Sequence, residues 1–328
     1  MPTLSKWPLA LIACLSACVC GAGDRPEAKQ LRVDESRPAL FYLNLRGGVV
    51  RTSTHGKEPH TIVKLETAGV GPDGIAIDAD AGHLYWTTMG KVSADDGSIM
   101  RSDLDGNNVK TIVPIGGTYT PKQLKLDTTN RKLYWADREG MRVMRANFDG
   151  SNIETLIVAG SGDADRKDPA RWCVGIAIDP HGGKLYWTQK GGDNARRGTI
   201  KRANLQMPAG ATAATRTDIE VLFANLPEPI DLDIDNDTRL LYWTDRGDNT
   251  ISRAPLDPPA KYDPANREDR EIIVSNVGEA IGIALDTRRD RLYYTSLGGV
   301  LGTATLNGRQ PRLLLTGQGA LTGIALLE

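Results

Sequence analysis

The sequence predicts an all-β protein, a six-bladed β-propeller of four-stranded antiparallel blades. The first observation behind this prediction is a repeated stretch, Leu241-Tyr242-Trp243-Thr244-Asp245, with copies that begin at Leu84, Leu133, Leu185 and Leu292 and a degenerate copy at Leu40. Its period of about fifty residues is typical of repeat architectures. The second observation is that each full repeat contains four short strand-like runs, without helical periodicity between them.

The runs are assigned in order along the repeat. The first run ends in aspartate, as in Gly74-Ile75-Ala76-Ile77-Asp78, and its glycine and alanine suit a crowded axis. The second run carries the Tyr-Trp pair, and its unbroken apolar character predicts burial on both faces between neighbouring blades. The third run resembles Ile99-Met100-Arg101, and an Asp-Gly hairpin signal separates it from a β-branched fourth run such as Thr111-Ile112-Val113.

The two ends of the repeat array complement each other. The array starts with a second strand, Phe41 to Leu45, and stops on Gly323 to Glu328, which has the pattern of a first strand. These fragments are predicted to form one blade. The C-terminal strand would then close the ring and leave no free edge between the two ends.

The repeated Tyr-Trp-Thr-Asp motif, with the Gly-Ile-Ala-Ile-Asp and Arg-x-x-Leu-Asp-Gly elements, resembles the YWTD propeller of the low-density lipoprotein receptor family over residues 38–328. The resemblance implies that aspartate at the fourth motif position ties neighbouring blades. Asp137 and Asp245 match, whereas the other copies carry Asn44, Thr88, Gln189 and Ser296. Fewer ties between blades are therefore expected. The chain lacks the cysteines for the modules that flank such propellers in receptors, so lipoprotein binding and endocytic recycling are not expected.

Charge and cysteine content argue against two properties, nucleic-acid binding and disulfide bonds within the propeller. The net charge of -1 over 328 residues argues against nucleic-acid binding, which usually requires a basic excess. Three of the four cysteines lie within the first twenty residues, and Cys173 is left alone in the predicted propeller. No disulfide within the propeller is expected, so the core must be stabilised by burial.

The N-terminal residues predict export. Lys6 precedes an apolar run that is too short to span a bilayer, and Leu15-Ser16-Ala17-Cys18 resembles a bacterial lipobox. We expect residues 1–18 to be a signal peptide and residues 19–37 a tether, with Cys18 as the lipidation site of a periplasmic or outer-membrane lipoprotein. The alternative is a plain signal peptide and a secreted protein. Membrane contact is expected only through this anchor.

In two blades the first strand lacks the glycine and alanine that it carries in the other four. One carries Gln123 and Lys125, and the other carries Asp231 and Asp233. The two blades are next but one around the predicted ring, so these side chains could face each other across the central channel. A polar lining filled with water, a ligand-contacting role and a catalytic role all remain open, because buried charges require partners in each case.

The face that holds the longest connections is the second candidate site. Trp172 is the only tryptophan outside the repeats and the signal segment, and Tyr119 lies in the corresponding connection one blade earlier. Lys122 and Arg171 are near them in sequence. Aromatic residues beside cations are common in binding hot spots. These residues are predicted to contact a partner protein or a small anionic or sugar-like ligand, unless Trp172 only fills the junction between blades.

The sequence favours binding over catalysis. It contains none of the nucleophile-elbow, zinc-protease or P-loop patterns, and we assign no catalytic residue, metal or cofactor. A non-catalytic binding or scaffold domain of the cell envelope is the predicted function. The alternative is a metal-dependent lactonase with Asn225, Glu228 and Asp231 near the channel mouth, which rests on fold analogy alone.

Overall fold

The computed structural model describes residues 38–65, 71–91 and 93–328. The predicted signal peptide, tether and lipidation site at Cys18 lie outside these residues. The described strands form six four-stranded antiparallel sheets. The innermost strands of successive sheets contact one another around a closed ring, which confirms the six-bladed propeller.

Blades are numbered in chain order, and their strands are given from the axis outwards. Blade 1 comprises β24 (Leu321–Leu327), β1 (Ala39–Asn44), β2 (Gly48–Ser53) and β3 (His60–Val63). Blade 2 comprises β4 (Pro72–Asp78), β5 (His83–Thr88), β6 (Ser98–Asp103) and β7 (Lys110–Val113). Blade 3 comprises β8 (Pro121–Asp127), β9 (Lys132–Asp137), β10 (Arg142–Asn147) and β11 (Glu154–Val158).

The remaining blades follow the same order. Blade 4 comprises β12 (Cys173–Asp179), β13 (Lys184–Gln189), β14 (Gly198–Asn204) and β15 (Glu220–Leu226). Blade 5 comprises β16 (Pro229–Asp235), β17 (Leu240–Asp245), β18 (Thr250–Pro255) and β19 (Glu271–Ser275). Blade 6 comprises β20 (Ala280–Asp286), β21 (Arg291–Ser296), β22 (Leu301–Ala304) and β23 (Arg312–Leu315). A short α-helix, α1 (Gly162–Arg166), and a 3-10 turn, Pro169–Arg171, precede blade 4.

The predicted ring closure is confirmed. β24 pairs antiparallel with β1, with Leu327 opposite Ala39 and Ala325 opposite Phe41. The register agrees with the alignment of the degenerate first copy. Phe41 lies opposite Arg51 as Tyr85 lies opposite Arg101, so Phe41 occupies the place of the motif tyrosine.

The core lies between blades. The motif residues of β5, β9, β13 and β17 are buried on both faces, and each motif tryptophan is at most 1% exposed. Tyr85 of blade 2, for example, packs in one cluster with Leu124 and Trp135 of blade 3. Burial of large aromatic rings contributes strongly to stability. The unbroken apolar pattern of the second strand therefore arises from the sandwiching of each blade between two others.

Close packing at the axis explains the glycine of the first strand. A Cβ atom at Gly175 would lie 2.0 Å from the main-chain oxygen of Ile230 in the next blade. A Cβ atom at Gly74 would lie 2.5 Å from the main-chain oxygen of Lys122. Backbones of adjacent first strands approach so closely that a side chain at this position needs local adjustment.

The motif threonine links neighbouring blades, a role that the sequence analysis missed. Thr188 accepts a hydrogen bond from the amide of Gly175 and donates to the carbonyl of Ile230 in the next blade. Thr244 links Asp231 to the carbonyl of Ile281 in the same way. The hydroxyl thus satisfies two buried main-chain groups at each such interface.

The expectation of fewer ties at the fourth motif position was only partly right. Asp137 accepts hydrogen bonds from the amides of Tyr119 and Thr120, in the connection that enters its blade. Gln189 and Asn44 reach the corresponding connections as donors, to the carbonyls of Ala170 and Gln318. An amide side chain can therefore replace the carboxylate, because main-chain connections present carbonyls as well as amides.

Candidate functional site

Two faces frame the candidate sites. The top face holds the connections from the second to the third strand and from the fourth strand to the next blade. The bottom face holds the other two kinds of hairpin. The channel along the axis joins the two faces, and its walls are the first strands.

Lys122 lies at the top end of the channel but forms a buried ion pair. Its Nζ lies 2.5 Å from Oδ2 of Asp73 in blade 2, and the side chains are only 11% and 3% exposed. Burial lowers the pKa of Lys122 although Asp73 opposes this effect. The ammonium group is thus engaged with the neighbouring blade rather than presented to a ligand.

Gln123 binds the same carboxylate. Its Nε2 donates to Oδ1 of Asp73 at 3.1 Å and lies 3.3 Å from the main-chain oxygen of that residue. Asp73 therefore organises both predicted site residues, and the sequence analysis did not single it out. The signal was available, since Asp73 is the one acidic residue at the second position of any first strand.

The predicted meeting of Lys125 with the aspartates of blade 5 is present in the structure. Lys125 Nζ lies 3.1 Å from Oδ1 of Asp233 across the channel. Asp233 also accepts the amide of Leu285, and Asp231 accepts the amide of Ile283, so each carboxylate ties blade 5 to blade 6. Burial alone would lower the pKa of Lys125, but the two aspartates outweigh it and the pKa is raised.

The lower end of the channel forms a cavity of about 270 Å³. Lys125 and Asp233 line it together with apolar residues that include Ala76, Ala284 and Ala325. The alanines leave this space because they occupy the positions where blades 3 and 5 carry charged side chains. The channel can hold water or a small polar molecule around one internal ion pair.

Asp231 provides a test of channel electrostatics. Burial raises its pKa to about 7, despite Lys125 and the Ile283 amide. The unfolded carboxyl ionises near pH ~4, so the folded state retains a proton between about pH 4 and 7 that the unfolded state has lost. The stability contributed by this group is complete below that range and declines as pH rises through it. Asparagine does not titrate, so the variant lacks this pH-dependent loss of stability. The melting temperature of Asp231→Asn minus that of the wild type should therefore increase by several degrees between about pH 5 and pH 8. A difference that does not vary with pH would contradict the raised pKa.

The top face brings Tyr119 and Trp172 together through Arg166. The Arg166 guanidinium lies over the Tyr119 ring at 4.3 Å, and its main-chain oxygen accepts a hydrogen bond from Nε1 of Trp172. Arg138 and Lys190 lie over the Trp172 ring at 5.2 and 5.8 Å. Both aromatic rings are half-buried. We call Tyr119, Arg166, Trp172, Arg138 and Lys190 the top-face patch.

Arg171 is exposed and contacts the main chain rather than the Trp172 ring. Its Nη1 donates to the carbonyl of Ala159, and it makes no cation–π contact with Trp172 among the contacts of the described residues. The sequence analysis missed Arg166, Arg138 and Lys190 as cation partners of the aromatic rings. Each cation is distant in sequence from the ring that it covers, so the sequence does not reveal these contacts. The long connection that contains α1 brings Arg166 onto the Tyr119 ring.

The residues of the lactonase alternative do not form a shared ligand set. Glu228 is buried and its carboxylate lies 2.6 Å from Nζ of Lys190 and 3.0 Å from Arg246. Asp231 is bound to main-chain amides, and Asn225 is exposed. Within the described parts of the chain, no group of three or more His, Cys, Asp or Glu residues could hold a metal ion.

None of the helices in the described residues is long and apolar enough to cross a membrane. Cys173, the one free cysteine that the structure describes, is fully buried, and burial raises the pKa of its thiol to about 12. It behaves as a small hydrophobic residue of the core.

Several solved structures share the fold. A chain of the nidogen/laminin complex matches with a TM-score of 0.66 and 21% identity, over 89% of this chain and 98% of that one. Regucalcin from Agrobacterium tumefaciens matches at 0.56 and 15%, over 79% of each chain. A gluconolactonase from Xanthomonas campestris matches at 0.54 and 16%, over 88% of this chain and 89% of that one. Identities this low show a common fold only.

Closer similarity is found among curated proteins, although no protein-family model matches the chain. The 3-hydroxyacyl-CoA dehydrogenase-like protein LAM1 of Cochliobolus heterostrophus is 39% identical over 89% of this chain, which spans 65% of that protein's length. The low-density lipoprotein receptor-related protein 1 of Pyricularia oryzae is 42% identical over 78% of this chain and 85% of its own length. The chain therefore belongs to the family of this low-density lipoprotein receptor-related protein.

Proposed function

We propose that this chain is a non-catalytic binding module whose top-face patch contacts a loop of a partner protein. The observation that carries this proposal is the patch itself, in which two half-buried aromatic rings are held in place by three cations. Tyrosine, tryptophan and arginine are the residue types that dominate protein-binding hot spots. Connections on a rigid scaffold are the usual location of such sites.

The patch is organised in advance of binding. Tyr119 donates its hydroxyl hydrogen to the carbonyl of Ser93, and Trp172 donates its Nε1 hydrogen to the carbonyl of Arg166. Both rings are thereby held in one orientation before a partner arrives. Less conformational entropy is then lost on association, which favours affinity.

Catalytic functions have weaker support. The dehydrogenase-like name belongs to a protein of which this chain spans 65%, and the α-helix of the described residues has only five residues, which leaves no helix to close a dinucleotide-binding βαβ unit. In the lactonase alternative, Glu228 would have to leave Lys190 and Arg246 to bind a metal.

We also propose that the protein is exported, on the basis of residues 1–18, either with a lipid anchor at Cys18 or in secreted form.

The patch can be tested with a matched aromatic pair. Tyr119→Ala and Trp172→Ala should each remove capture of the partner from an extracellular or envelope extract. The melting temperature should fall by only a few degrees, because the rings are half-buried and outside the sheets. Tyr262→Ala is the control, since Tyr262 also stacks on an arginine, Arg267 at 5.8 Å, and donates to a main-chain oxygen, but in a bottom-face hairpin.

Cross-linking and mass spectrometry would identify the captured protein and the residues that contact it. Cross-links on the top face that disappear in Trp172→Ala and persist in Tyr262→Ala would support the proposal. Capture that survives both top-face substitutions would refute it. A large loss of stability in Trp172→Ala would show instead that the ring is part of the core.

A further inference from the structure

The junction between blade 6 and blade 1 differs from the others on the bottom face. In five blades an arginine of the third strand lies opposite the motif aromatic residue, and these arginines are Arg51, Arg101, Arg145, Arg202 and Arg253. In blade 6 the residue opposite Tyr293 is Thr303. A long cation is therefore missing from the space beside one motif tyrosine.

The acidic partner is missing as well. In blades 3 to 5 the third-strand arginine pairs with a glutamate that begins or nearly begins the fourth strand: Glu154, Glu220 and Glu271. The corresponding residue in blade 6 is Arg312, which lies opposite Thr303. The charge at this position is thus reversed relative to blades 3 to 5, whereas blades 1 and 2 carry His60 and Lys110 there. Arg312 has no ion pair among the residues that the structure describes.

A third difference is the lack of a large apolar side chain in blade 1, at the junction with blade 6. After the third strand, blades 2 to 5 place a large apolar side chain against the preceding blade, and these buried residues are Leu104, Phe148, Leu205 and Leu256. Blade 1 has Thr54 at this position. Together the three replacements leave a cavity of about 180 Å³ between blades 6 and 1, which corresponds to roughly six water volumes of ~30 Å³.

The cavity is lined by Arg289, Arg291 and Arg312, with Tyr293 and Leu314 as its apolar wall. Arg289 is bound to Asp286 at 3.0 Å. The Nη1 atom of Arg291 is buried and has no hydrogen-bond partner in the described structure. Guanidinium groups that converge without equivalent acids repel one another, and a buried donor without an acceptor is unfavourable. A bound anion would remove both costs.

We propose that this cavity is a binding site for a small phosphate or sulfate monoester. The tetrahedral head group of either ester is an anion with several acceptor oxygens, and guanidinium groups bind such oxyanions through paired charge-assisted hydrogen bonds. The organic substituent would pack against Tyr293 and Leu314. The site lies on the bottom face, so it is independent of the protein-binding patch on the top face.

Inorganic phosphate and phenyl phosphate are suitable probes for the full chain. We expect each to bind saturably by calorimetry and to raise the melting temperature, whereas sodium chloride of equal ionic strength should not. Phenyl phosphate should bind more tightly, because its ring can cover the apolar wall. Equal affinity for the two probes would show that only the anion is recognised, and would overturn the monoester assignment.

Two sets of variants test the location. Arg312→Gln should weaken phosphate binding by at least about ten-fold, which corresponds to ~1.4 kcal/mol. Arg309→Gln removes an exposed arginine of the same blade that does not line the cavity, and should leave binding unchanged. The double variant Thr303→Arg with Arg312→Glu recreates the pair found in blades 3 to 5. It should fold, fill the cavity and abolish binding.

Phosphate binding that persists in the double variant at wild-type affinity would overturn the proposal. So would an equal loss of binding in Arg309→Gln and Arg312→Gln, since a diffuse positive surface would then explain the affinity. Absence of saturable binding of either probe to the wild-type chain would also reject the site.

Discussion

A chain that lacks Gly323 to Glu328 should fail to form a stable ring. The deletion removes most of β24, which is the axial strand of blade 1 and pairs with β1 from Ala39 to Asn44. Loss of this strand exposes the inner edge of β1 and the apolar clusters on both sides, one of which contains Phe41 and the other Leu40. An open edge beside exposed apolar surface favours aggregation. We expect insoluble protein or rapid proteolysis.

Deletion of Glu328 alone is the matched control. Glu328 is exposed, lies beyond the end of β24 and, among the described residues, pairs only with the exposed Arg288. Its removal should leave the melting temperature nearly unchanged, as is usual for exposed ion pairs. If the longer deletion also melted like the wild-type chain, closure by β24 would be unnecessary for stability.

Asp73→Asn should cause the second large loss of stability. Asp73 is the buried partner of Lys122 and also accepts a hydrogen bond from Gln123. The substitution removes the carboxylate that is bonded to the buried Lys122 ammonium, and removal of one partner from a buried pair typically costs about 3–5 kcal/mol. Urea denaturation should therefore show a markedly lower midpoint with an unchanged slope.

A double variant separates the charge effect from packing. Asp73→Leu with Lys122→Met replaces the pair by apolar side chains, and should recover most of the stability lost in Asp73→Asn. A loss of less than about 1 kcal/mol in the single variant would mean that water solvates Lys122 in the channel. In that case Lys122 would again be available to a ligand.

The contact between Lys125 and Asp233 could be predicted, whereas the one between Lys122 and Asp73 was missed. Lys125 and Asp233 stand out because they interrupt a repeated alanine at the same position of two first strands, and such positions converge at the axis. Lys122 and Asp73 occupy a position that has no common residue type among the six blades. A charged residue there is therefore not recognisable as a departure from the repeat. Their pairing depends on the close approach of blades 2 and 3.

The sequence by itself determined the architecture. Strand pattern, hairpin length and turn residues are local signals, and their six-fold repetition records blade number and ring closure directly in the order of the chain. Tertiary structure alone decided which side chains meet between blades. Arg166 reaches Tyr119 through a long connection, and the cavity beside Tyr293 exists because side chains from three different segments of the chain are shorter or differently charged there. The free volume and the net charge at such a junction depend on how segments distant in sequence pack together. They cannot be read from any single stretch of sequence.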